Sequence, residues 1–300
     1  MFELFFFSIL CIILITPFGF FLCKYSNNLI SLSNQLVYGI IIISFIALLI
    51  NFLFPLNILI NTSILILSIF IIAKNLNYYF SYTFLKFLIL NAIIVFLLVA
   101  KSNIYRPDAI LYHLPYTGIL NSEKIIFGLS NLHFRFAHIS IIQYFSAFLN
   151  NVIFNIQGIV FASALIASAV IINFLTYLID YLKNKDFNFH FFFLFFVTIF
   201  IAYKMNRYGE YGNDAPAHFL FFFLISEIIK LIENKESNFK KNNFILSIFI
   251  TLNKITMGFA IFIPLIFLNK KKLFSFFKMP KNIFALFFLS LWVLKNLVVS

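Results

Sequence analysis

Nine stretches of 13 to 25 apolar residues, almost free of charge, divide this chain and constrain its fold more than any other feature. They run over 2–22, 36–54, 56–73, 84–100, 156–179, 191–203, 215–232, 244–268 and 283–300. About 20 such residues, wound as a helix, cross the hydrocarbon core of a bilayer. The remainder of the chain cannot offset them. Hydrophobic residues make up 63% of the sequence and charged residues 11%, with a mean hydropathy of +1.01, whereas soluble domains carry about 25% charged residues. A soluble globule, a disordered chain and a collagen-like fibre are all excluded. The expected fold is all-α: a polytopic transmembrane helical bundle of nine or ten spans, one of them broken. Residues 1–100 would be N-terminal transmembrane helices and 101–300 a membrane core bearing an outward-facing loop with short interfacial helices.

The first run is not a cleavable signal peptide, because Glu3 stands where a basic flank is required and no small-residue cleavage site follows. Cys11 and Cys23 provide neither a disulfide framework nor a metal-ligand spacing. The 47 phenylalanines reflect a compositional bias and carry no functional meaning. A net charge of +12 could indicate nucleic-acid binding, but the lysines lie in short loops between apolar runs, as membrane topology requires. No nucleic-acid partner is expected.

Thirteen lysines fall in one set of loops, and six basic residues, including all three arginines, fall in the alternate set. The richer set belongs in the cytoplasm. The N-terminus, 101–155 and 204–214 then face outward from the inner (cytoplasmic) membrane. One conflict arises. The loops 233–243 and 269–281 are both basic, yet a single run separates them. Thr251, Asn253, Lys254 and Thr256 lie at the middle of that run. Two half-helices meeting at this polar turn would return the chain to the side it left; the alternative is that one of the two loops is an exception to the charge rule. The sequence stops within an apolar stretch, 291–300, and is expected to continue.

The outward segments concentrate the chemistry. Arg106, Asp108, Tyr112, His113, His133, Arg135 and His138 lie in the first, and Arg207, Glu210 and Asp214 in the second. Arginine is the bidentate partner of phosphate. Pro107 followed by Asp108 reads as a helix start, with Tyr112 on the face of Asp108 and His113 beside it. Asp108 could equally serve only to stabilise that helix N-terminus, and Pro115 should kink the helix. Phe127, Leu132, Phe134 and Phe136 read as the apolar side of one interfacial helix. Asp214 and Glu210 enter the head of a span, where a carboxylate is costly unless paired; a helix cap is the plainer role for Asp214. Lys254, at mid-membrane depth, follows the same logic, and Lys295 more weakly. No P-loop, dinucleotide fingerprint, zinc-binding helix or nucleophile elbow is present. Carboxylates with Arg, His and Lys donors at an outer membrane face suit an anionic amphiphile.

Asp108-x-x-x-Tyr112-His113-Leu114-Pro115, followed by Gly128-Leu129-x-Asn131-Leu132-His133-x-Arg135-Phe136, resembles a bacterial multi-pass membrane family placed with the GT-C glycosyltransferases. Gly212-Asn213-Asp214-x-Pro216, Lys254-Ile255-Thr256 and Trp292-x-x-Lys295-Asn296 fit the same pattern. The resemblance covers the last two-thirds of the chain and implies a GT-C-like catalytic core over 101–300. It implies an enzyme transferring a sugar, with inversion, from a polyprenyl-phosphate donor to a cell-envelope glycan or lipid acceptor at the outer membrane face. Asp108 matches the family's loop acid, the general base. Asp214 is a second acid, orienting the acceptor or a divalent metal ion. Arg106, Tyr112, His113, His133, Arg135, Glu210 and Lys254 are the substrate-binding candidates. Several spans precede the acidic loop where better-known relatives have one. A flippase for a lipid-linked glycan and a non-enzymatic membrane scaffold are the alternative functions.

Overall fold

The computed structural model describes the chain except for residues 24–25, 27, 102–107, 209–210, 234–241 and 267–269, together with the side chains at 138, 205–208 and 270–273. The described residues form helices and turns with no strand. In order they are α1 (Phe2–Ile15), α2 (Leu29–Asn51), α3 (Ile58–Lys74), α4 (Leu76–Tyr79), α5 (Tyr82–Ala100), α6 (Leu114–Ser122), α7 (Ile142–Phe148), α8 (Phe161–Asn184), α9 (Phe189–Tyr208), α10 (Asp214–Glu233), α11 (Asn243–Asn253), α12 (Phe262–Ile266), α13 (Lys270–Phe277) and α14 (Pro280–Val299). The expected all-α, multi-pass helical bundle is therefore present.

Fewer helices reach full span length than the apolar runs suggest. Among the described residues six are long and apolar enough to cross a membrane: Phe2–Phe21, Leu29–Asn51, Tyr82–Ala100, Asn155–Asn184, Asp214–Glu233 and Pro280–Val299. Ile58–Lys74 and Phe189–Lys204 are apolar but shorter. Local chemistry sets many of these ends. Asn28 and Asn57 accept the amides of Ser31 and Ile60 at 2.8 and 3.0 Å, capping α2 and α3. Ser81 does the same for α5. Pro17 turns the end of the first span into a 3-10 helix, Thr16–Phe21. That segment packs onto α2 with almost no gap, since a Cβ on Gly19 would lie 2.0 Å from the Gln35 carbonyl oxygen and one on Gly39 2.4 Å from that of Ile15. Small residues at such crossings allow helices to pack without a hydrophobic driving force. Helices α2 and α8 form the buried centre, and Phe45 stacks on Phe288 of α14 at 4.3 Å.

The run 244–268 is broken where its polar residues lie. Helix α11 ends at Asn253, Lys254 is extended (φ −147°, ψ 109°), and a 3-10 segment, Ile255–Ile261, leads into α12. The chain doubles back there, so that a Cβ on Gly258 would meet Thr251 at 3.9 Å. The starts of α11 and α14 lie at one end of the bundle. Asn242 Nδ2 and Lys281 Nζ each donate to the Leu22 carbonyl, at 2.8 and 2.6 Å, and Lys281 also reaches Asn242 Oδ1 at 2.9 Å. The chain therefore enters α11 and α14 from the same end, which removes the need to place the two basic stretches on opposite sides.

At the opposite end, a helix begins at Asp108 and continues through a π-helical turn, Ala109–His113, into α6. The wider turn accommodates Pro115, which lacks an amide hydrogen, so the helix is not ended by it. The expected single interfacial helix over 127–136 is instead two 3-10 turns, Leu129–Asn131 and Phe134–His138. Their three-residue period separates the phenylalanines: Phe127 and Phe134 are exposed, as is Leu132, whereas Phe136 is buried against Tyr116.

Candidate functional site

Three segments meet at this end: the helix from Asp108, the 3-10 turn carrying Arg135, and the junction between the start of α10 and the break after α11. Asp108 makes no capping hydrogen bond, so its side chain does not serve as a helix cap. It accepts instead from Arg135 Nη1 at 2.8 Å. The guanidinium lies over the Tyr112 ring, 4.6 Å from its centroid, which fixes its plane. The hydrogen bond to Asp108 raises the pKa of Arg135. Burial pushes the Tyr112 hydroxyl up, helped by the Asp108 carboxylate and opposed by Arg135.

A second carboxylate–cation pair lies nearby. Asp214, the first residue of α10, accepts from Lys254 Nζ at 2.7 Å. Lys254 is therefore not isolated at mid-depth; the backbone break delivers it level with the start of α10. Asn213 Nδ2 donates to the Asn253 carbonyl at 3.4 Å, and Asn253 Oδ1 accepts from Ser140 Oγ (2.9 Å) and the Ile142 amide (3.2 Å). These bonds join the break to α7 and α10.

His113 is buried between the two pairs. Its Nδ1 is 2.6 Å from Gln143 Nε2, and a Cβ on Gly212 would lie 3.8 Å from its Nε2. Burial lowers its pKa to about 4, even though the Asp108 and Asp214 carboxylates pull it upward. The ring is neutral at pH 7 and acts as a hydrogen-bonding group, not a cation. Thr117, one turn along, links the His113 carbonyl (2.9 Å) to the Tyr211 hydroxyl (3.0 Å).

Of the residues singled out in the sequence, Asp108, Tyr112, His113, Arg135, Asp214 and Lys254 are thus brought together. His133 is not shown joining them: its Nδ1 accepts the Arg135 amide at 3.2 Å and its ring stacks on Phe134, which makes it the cap of its own turn. Arg106 and Glu210 lie outside the described residues, as do the side chains of His138 and Arg207. Sequence reasoning missed Gln143 and Tyr211, and took Asn253 only as part of the polar turn. Of these two, Gln143 left a signal, as an amide in an apolar stretch. Among the described residues no three His, Cys, Asp or Glu side chains group as metal ligands. Asp214 faces an ammonium, which does not suit it to a metal ion.

The whole chain, residues 1–300, matches one family. It belongs to the family described as domain of unknown function DUF8201. No curated protein and no solved structure matches it significantly.

Beside the paired charges lies an apolar cleft of about 770 Å³. Leu114 and Gly118 line it from the helix that carries His113, facing Leu4, Val99, Ile156 and Ile159, with the amides of Asn121, Asn150 and Gln157 also on its wall. One helix therefore borders both a charged cluster and a hydrocarbon-like groove.

Proposed function

We propose that this protein is an integral membrane glycosyltransferase, moving a sugar from a polyprenyl-phosphate donor to a glycan or lipid acceptor at the outer face of the cytoplasmic membrane. The observation that carries the proposal is the meeting of two carboxylate–cation pairs, Asp108–Arg135 and Asp214–Lys254, on either side of a buried neutral histidine. The adjoining apolar cleft suits the lipid tail of such a donor, and membrane lipids surround it.

The chemistry follows from the pairing. A carboxylate held by an arginine is a poor base, because the cation stabilises its charged form. A donor phosphate offers the guanidinium and the ammonium a stronger partner. As Arg135 and Lys254 turn to the phosphate oxygens, Asp108 is released to accept the proton of the acceptor hydroxyl. The acceptor oxygen then forms its bond to the anomeric carbon while the bond to the phosphate oxygen breaks. The electron pair leaves on the phosphate, and configuration inverts. Tyr112 holds the guanidinium plane, and His113, tied to Gln143, orients neighbouring groups without adding charge. Asp214 orients the acceptor, and no step is assigned to a metal ion.

Asp108→Asn tests the base. Sugar transfer in proteoliposomes should fall by about 10²–10⁴-fold, with the variant accumulating in the membrane as the parent does. Normal transfer would remove Asp108 from the role. The broken element at Lys254 also favours a second reading, a flippase for a lipid-linked glycan, since transporters use such breaks at their binding sites. Passage of the intact lipid across vesicles, with no new glycosidic bond, would select that reading.

A further inference from the structure

The end of the bundle opposite the paired charges holds a second polar pocket, of about 500 Å³. Asn34 and Tyr38 of α2, Glu227 and Lys230 of α10, Asn243 of α11 and Lys281 of α14 line it. Among the described residues, two ammonium groups thus share it with one carboxylate. Lys230 Nζ donates to the Tyr177 hydroxyl at 2.5 Å and lies 4.1 Å from the centre of that ring. Lys281 bridges the Leu22 carbonyl and Asn242 Oδ1. Asn243 is 1% exposed, and its Nδ2 has no hydrogen-bond partner among the described residues. A buried amide donor without an acceptor carries the full cost of its desolvation, so an acceptor there would be bound favourably.

From this arrangement we infer that the pocket binds the phosphodiester headgroup of an anionic phospholipid. One net positive charge and an unmatched donor call for a singly charged, acceptor-rich group, and a phosphodiester is one. The pocket's position selects the lipid source over free phosphate. It opens among helix ends, where headgroups lie, at the lysine-rich end of the bundle, and basic pockets between spans at that end are suited to lipid headgroups. Asn243 begins the first limb of the doubled-back element whose far turn carries Lys254, and Lys281 lies in the first turn of α14, the span that follows it. A headgroup held between them braces that element from below. This inference does not depend on what the opposite site does.

The full-length protein, purified in a neutral detergent, would be given phosphatidylglycerol, phosphatidylcholine or inorganic phosphate, and retention followed by native mass spectrometry. Phosphatidylglycerol should be retained about fivefold more tightly than phosphatidylcholine, the effect of one net charge near a headgroup. Asn243→Asp, which keeps side-chain shape but adds a negative charge, and Lys230→Gln should each erase that preference without altering helix content or elution. Equal retention of the two lipids would overturn the inference. So would inorganic phosphate competing as well as phosphatidylglycerol, or both variants keeping the preference.

Discussion

His113 is the residue whose environment contradicts its exposed-loop appearance in the sequence. Packed against α7 and the turn at Gly212, it titrates at about 4 instead of its usual 6.5, because burial disfavours the imidazolium. The consequence for stability has a definite sign. As pH falls below about 6.5 the unfolded chain takes up this proton and the folded one does not, so stability present above that pH is lost progressively down to about 4. The loss amounts to about 3 kcal/mol. Thermal unfolding in detergent at pH 7.5 and at pH 4.5 should show a smaller acid-induced drop in His113→Gln than in the parent; an equal drop would mean that the ring is not held neutral. Arg135 makes a separate demand, because it pairs with Asp108 while lying flat over Tyr112. Lysine preserves the charge but not the plane. Arg135→Lys should therefore raise KM for the phosphate-bearing donor in a steady-state transfer assay while most of kcat survives, whereas loss of kcat alone would place Arg135 outside phosphate binding.

At the scale of elements, two glycines separate packing from function. Gly39 lies where α2 meets the end of α1, and any side chain there collides with the Ile15 backbone at 2.4 Å. Gly39→Val should destabilise the protein by about 2 kcal/mol or more, visible as lower thermal stability and membrane yield. Gly118 is the opposite case, since a Cβ there meets nothing within 4 Å and the residue lines the apolar cleft. Gly118→Leu should leave thermal stability unchanged and improve local helix propensity. It should also raise KM for a long-chain lipid donor several-fold, while a short-chain analogue reacts as before. Equal effects on both donors would detach the cleft from the lipid tail. The broken element was legible from Thr251, Asn253, Lys254 and Thr256, because polar residues cannot be left against hydrocarbon. The meeting of the starts of α11 and α14 at one end is recorded by hydrogen bonds among Leu22, Asn242 and Lys281, which no local pattern encodes.

For the whole molecule, the two ends of the bundle have separate characters, and that can be checked chemically. In a background lacking Cys11 and Cys23, Ser122→Cys near the paired charges and Ser275→Cys on α13 should react with an impermeant maleimide from opposite sides of sealed vesicles. Labelling of both from one side would refute the doubled-back path. The sequence alone determined the solvent, the helical class and the sorting of lysines from arginines, because a bilayer acts on each stretch of chain separately through its hydropathy and flanking charge. Tertiary structure alone decided that Asp108 is held by Arg135 and Asp214 by Lys254, that His113 is neutral, and that Lys295 is fully buried beside Tyr116 and Trp292. Those properties arise from the electric and steric surroundings that distant segments provide once packed, and no run of neighbouring residues contains them.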